Sequence, residues 1–155
     1  MVHRAKARGL SGLAVTDHNS LAGSRCAAEF DSDEFMVIPG MEISTELGDL
    51  IGLFIQEEIA LRDPIAAADA IAAQGGVAIL PHPFLQAKSY PDEFLRRLDA
   101  VEVLNPRASC FARFRQAQAQ VADIRREYGL GAVGGSDAHS YAEIGIVRNL
   151  VPSLA

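Results

Sequence analysis

Residues 13–20 read LAVTDHNS, a short apolar run of strand character that breaks off into Thr16, Asp17, His18 and Asn19. Taken alone, that ending is a turn, because Asp, Asn and Ser are common turn and helix-capping residues. The same ending recurs. The run GVAIL (76–80) leads into Pro81 and His82, and LGAVGG (130–135) leads into Ser136, Asp137 and His139. Three of the chain's four histidines thus stand just past the C-terminal side of an apolar run. Glu42 joins them, after the apolar VIPGM, where an unpaired carboxylate would be expensive to bury.

Working outward, strands alternate with helices. Residues 1–8 read as the last turns of a helix stopped by Gly9, 12–16 as a strand, 20–30 as a helix, 35–44 as one or two strands around a Pro-Gly break, and 49–55 as another strand. Asp63 and Pro64 open a helix as cap and first residue, Gly75-Gly76 closes it, and 76–80 is a buried strand. A short helix at 92–98 and a strand at 100–104 follow. Asn105-Pro106 opens the longest helix, with Phe111, Phe114, Val121, Ile124 and Tyr128 at helical spacing as a core stripe, Gly129 as its cap, a strand at 130–135 and a final strand at 146–151. This alternation predicts parallel β/α units, closed into a barrel or left as an open sheet. In such folds ligands gather at the C-terminal edge of the strands.

Composition narrows the function. A chain of 155 residues, 49% of them hydrophobic, suits one globular domain over 1–155. A formal net charge of −6 argues against non-specific nucleic-acid binding, which requires an excess of Lys and Arg. No uncharged run is long enough to span a membrane, and no signal peptide precedes the TDH stretch. Cys26 and Cys110 lack CxxC spacing and read as reduced thiols, so the expected location is cytoplasmic. Imidazoles mixed with carboxylates suit zinc, manganese or iron, whereas all-oxygen sites suit magnesium and calcium. Two or three such ions would clamp a phosphate and activate a water for attack. Neither a nucleophile elbow nor a P-loop competes with this reading.

Four segments in order, AKARGLSGLAVTDHNSLAG (5–23), VIPGMEIS (37–44), AILPHPF (78–84) and GGSDAHSYAEIG (134–145), resemble the motifs of the PHP (polymerase and histidinol phosphatase) family of metal-dependent phosphoesterases. The resemblance implies an α/β fold, a distorted (βα)7 barrel, with two or three divalent metals (Mn, Zn or Fe) at its C-terminal edge. It implies Asp17, His18, Glu42, His82, Asp137 and His139 as catalytic metal ligands. Asp49 stands where the family often has a further His, and Arg107 is placed to reach a substrate phosphate. The family's opening HxH is absent, and His3 lies in the segment that matches the following helix. The expectation is therefore a PHP-type domain lacking its N-terminal strand, with an exposed strand edge open to pairing with another copy. The substrate expected is a small phosphomonoester or nucleotide. The alternatives are an impaired metal-binding or partner-binding remnant and an amidohydrolase, whose carboxylated Lys has no counterpart beside Lys6 and Lys88.

Overall fold

A computed structural model describes residues 1–151. The elements run α1 (Val2–Ala7), β1 (Gly12–His18), α2 (Ala22–Ala28), β2 (Met36–Thr45), β3 (Gly48–Leu53), α3 (Pro64–Ala73), β4 (Val77–Leu80), α4 (Asp92–Leu95), β5 (Ala100–Leu104), α5 (Ala112–Gln116), α6 (Gln118–Tyr128) and β6 (Gly131–Gly134), with a 3-10 turn at Ala108–Cys110. Helix α3 forms as its punctuation dictates. Asp63 accepts a hydrogen bond from the Ala66 N–H at 2.7 Å and Pro64 occupies the first turn. Helix α6 ends on Gly129, whose φ of 68° is the left-handed conformation that glycine adopts without a Cβ penalty.

The six strands lie in one sheet in chain order, β1-β2-β3-β4-β5-β6. The sheet is mixed, not all parallel. β2 turns straight back into β3 through Glu46 and Leu47, so β3 runs antiparallel to both its neighbours while the other five strands share one direction. The physical reason lies in the connection: a two-residue link forms a hairpin, whereas a parallel return needs a crossover of a dozen or more residues.

Two further expectations are corrected. The helix expected after Asn105 is broken into the 3-10 turn, α5 and α6. Phe111 takes extended backbone angles, φ −90° and ψ 129°, and the Ser109 carbonyl accepts from the Arg115 guanidinium at 2.6 Å, an acceptor that a continuous helix would give to a backbone N–H. Phe111, at the break, is exposed and not part of the core, while Phe114 and Val121 are buried. The final strand is also absent among the described residues. The Asn149 amide instead accepts from the Gly134 N–H and donates to the Gly134 carbonyl, both at 2.8 Å, taking the groups that a neighbouring strand would pair.

The sheet curls into a half-barrel. Arg4 and Arg8 of α1 donate to the carbonyls of Tyr141 and Ala142, and Ile144 packs with Val2, Ala5, Val15, Phe35 and Val37, so the segment beyond β6 meets the elements around β1. The larger core lies between the sheet and α3, α4 and α6, around Met41, Ile43, Leu50, Ile71, Leu80, Phe94, Val101 and Val121. Both cysteines are free and exposed. No helix among the described residues is long and apolar enough to cross a membrane.

Candidate metal centre

The curl brings one edge of the sheet together around a hollow of about 200 Å³. On one wall, the register sets His18 of β1 opposite Glu42 of β2, and Ser44 of β2 opposite Asp49 of β3. Because β3 is antiparallel, its beginning, not its end, reaches this edge. Asn19 fixes the corner: its N–H donates to the Glu42 carbonyl at 2.8 Å, and its side-chain carbonyl accepts from the Ser44 N–H at 2.9 Å.

Glu42 sits between two imidazoles. One carboxylate oxygen lies 3.1 Å from His82 Nε2 and the other 3.6 Å from His18 Nε2. Asp49 Oδ2 lies 3.9 Å from His82 Nε2 and accepts from Gln86 at 2.7 Å. One donor atom each from His18, Glu42 and Asp49 lies within 4.8 Å of the others, a spacing and a nitrogen-and-oxygen donor set that fit a borderline divalent cation. Glu42 and His82 are buried, while His18 is largely exposed. Burial pulls the His82 pKa down, but the hydrogen bond to Glu42 and the charges of Glu42, Glu102 and Asp49 outweigh it and hold the imidazole above its ordinary value.

The facing wall carries Asp137, His139 and Arg107. His139 Nδ1 lies 2.9 Å from the Asp137 carbonyl oxygen and 3.3 Å from its carboxylate. Arg107 Nε donates to the Asp137 carbonyl at 3.1 Å, and its Nη2 reaches Glu143 at 3.3 Å. Asn19, His82 and Asp137 all take positive φ, at 51°, 28° and 50°. Each such non-glycine conformation costs about 1–3 kcal/mol and persists where the surroundings enforce it.

His18, Glu42, Asp49, His82, Arg107, Asp137 and His139 therefore line one hollow, and Asp17 does not. Side chains alternate along a strand, so with His18 facing the hollow Asp17 faces away. Its carboxylate covers Gly23 of α2 so closely that a Cβ there would overlap it.

Three further residues serve this edge. Glu102 of β5 is buried, and its carboxylate accepts from the His82 N–H at 2.7 Å and from Asn105 Nδ2 at 2.9 Å. Burial raises its pKa against the pull of those hydrogen bonds. Asn105 caps the 3-10 turn through Ala108 N–H at 2.8 Å and reaches Asp137 Oδ2 at 3.4 Å, linking Glu102 to the facing wall. Glu143 accepts from the backbone N–H groups of His139 and Ser140 at 2.7 and 2.9 Å. Those backbone bonds, foremost from His139, together with Arg107 hold the Glu143 pKa low. The signal for Glu102 was in the sequence, since AVEVL buries a carboxylate inside an apolar strand just as VIPGMEIS does.

Comparison with known proteins bears on the family and the fold. The PHP-associated family model matches residues 115–153. Two uncharacterised proteins of Methanocaldococcus jannaschii are 39% identical over 108 residues and 34% identical over 142 residues, covering 65% and 85% of this chain. The chain spans 61% and 54% of those relatives' own lengths. A metal-dependent phosphoesterase of Bifidobacterium adolescentis shares the fold at a TM-score of 0.70 and 15% identity, over 94% of this chain and 84% of that one. So does a Chromobacterium violaceum amidohydrolase solved with bound sulfate and no metal, at 0.70 and 16%, over 97% and 85%. A two-domain Bacteroides vulgatus protein described as containing a PHP-like metal-dependent phosphoesterase does so at 0.67 and 18%, over 92% and 47%. The chain thus carries a PHP-associated segment, shares the fold of PHP-like proteins, and resembles that family in its TDH, GME, PHP and SDAH motifs.

Proposed function

We propose that this chain is a metal-dependent phosphoesterase acting on a small phosphomonoester. The observation that carries the reading is the meeting of His18, Glu42 and Asp49 donor atoms within 4.8 Å, opposite a wall bearing Arg107 and His139. Divalent metal, manganese, zinc or iron by the donor types, would neutralise charge developing on the phosphoryl oxygens and lower the pKa of a water for in-line attack. His18, Glu42 and Asp49 would hold it, with His82, Asp137 and His139 completing the donor set. Glu42 suits the shared position because its two oxygens face different imidazoles. Arg107 presents its guanidinium to the phosphate. Glu102 holds the His82 backbone, and Glu143 holds Arg107 and the His139 backbone. In this reading the sheet is a (βα)7-type barrel with one strand's place open between β1 and β6.

Metal analysis of the purified chain, with turnover of p-nitrophenyl phosphate and nucleotide monophosphates in manganese, tests the reading. Stoichiometric metal and turnover are expected, and both are lost in Glu42→Gln. Metal in fixed ratio without turnover on any of these esters would identify a binding remnant instead.

A further inference from the structure

We infer that the hollow holds a subsite for a flat, apolar leaving group, walled by Phe111 and Leu85, so that the phosphomonoester it takes is an aryl or other ring-bearing ester. This rests on the phosphoesterase reading above and deepens it. Helical spacing assigns Phe111 to the core, yet the ring is 54% exposed and lines the same hollow as the imidazoles. Single exposed apolar side chains are ordinary on a protein surface. Phe30, Met36, Phe54 and Leu61 are of that kind, exposed without lining this hollow. Phe111 differs by its position.

The backbone that carries the ring is also held in place. The Phe111 N–H donates to the Ala108 carbonyl at 2.9 Å, and its carbonyl accepts from the Arg115 N–H at 3.3 Å, so the backbone is pinned on both sides in an extended conformation. Leu85 is fixed likewise, its N–H bonded to the His82 carbonyl at 3.2 Å and its carbonyl accepting from Arg113 at 3.2 Å. The lining is thus mixed: beside its carboxylates and imidazoles it carries the apolar Leu85, Ala108 and Phe111, and Arg107 directly precedes Ala108 in the chain. A ligand that fills such a hollow is amphipathic, with an oxyanion toward Arg107 and the donor set and a flat ring against Phe111, because aromatic faces stack favourably.

The test uses two non-hydrolysable ligands, phenylphosphonate and methylphosphonate, titrated calorimetrically into the manganese-loaded chain. Wild type is expected to bind phenylphosphonate about tenfold more tightly. Phe111→Ala should erase that preference and Phe111→Tyr keep it, with far-UV circular dichroism confirming that both variants fold. Methylphosphonate binding without a phenyl preference, or a preference that survives Phe111→Ala, overturns the subsite alone. If neither phosphonate binds wild type, the phosphoesterase reading of the hollow falls and the subsite falls with it.

Discussion

Substituting Glu102 by Ala and by Gln separates the two effects of its buried carboxylate. Alanine strips the acceptor from the His82 N–H and from Asn105 Nδ2. At about 1–3 kcal/mol for each buried donor left without a partner, the loss is about 2–6 kcal/mol. Asn105 retains a longer contact to Asp137 at 3.4 Å, which places the expected value in the lower half, about 3 kcal/mol. Glutamine keeps an oxygen for both donors and removes the charge, so its cost near neutral pH should be only about 1 kcal/mol. The pH dependence decides between burial and hydrogen bonding as the dominant influence. Burial holds the folded-state pKa of Glu102 above 4.5, so the native chain binds that proton more tightly than the unfolded chain does. Wild type therefore loses stability as pH rises from the unfolded pKa through the folded one, and the Gln variant does not. The raised pKa of His82 acts in the same direction. Its stabilisation is present below the ordinary value of 6.5 and fades as pH rises through the folded value, and Glu102 contributes to it. Urea unfolding in EDTA, followed by far-UV circular dichroism at about pH 5 and about pH 8, should show the deficit of Glu102→Gln shrinking toward the higher pH. A deficit that grows would mean that the ionised carboxylate is the stabilising form, and the reasoning fails.

Glu143→Gln leaves an acceptor for the backbone N–H groups of His139 and Ser140 but removes the charge that faces Arg107, so the Michaelis constant for a phosphomonoester should rise severalfold with little change in kcat. The low pKa of Glu143 gives a contribution present above 4.5 and lost as pH falls, and an acid titration of stability should lose that component in the same variant. Asn149→Ala deletes both bonds to Gly134, which should lower the urea midpoint by the equivalent of about 1 kcal/mol at unchanged slope. The same change bares the edge of β6, and light scattering should report more self-association.

Much of the fold can be read from punctuation. Asp63-Pro64 and Gly75-Gly76 bracket α3 because capping and left-handed closure are local chemistry. The reversal at β3 is harder to see, since an apolar strand has the same composition in either direction and only the two-residue connection betrays it. Phe111 fits the helical stripe in spacing, and what removes it is its extended backbone, with the Ser109 carbonyl turned to the Arg115 guanidinium, which periodicity does not register. At the edge of the sheet, the structure gathers six of the seven expected donor residues. Asp17 is the exception, and strand alternation sets it apart, because neighbours in sequence point to opposite faces. Glu102 and Glu143 act through backbone N–H groups of residues 20 and 4 positions away, a partnership that composition does not announce.

The tight reversal between β2 and β3 also bears on how the candidate cation site assembles. Glu42 and Asp49 belong to a single hairpin, whereas His82 must be brought to Glu42 across 40 residues of chain. Hairpins close in about 1–10 μs, well before most long-range pairing in a mixed sheet. Two acidic groups are thus set side by side early, and a divalent ion present during refolding would find that half-built clamp first. Lengthening the Glu46-Leu47 link would delay the meeting of Glu42 with Asp49.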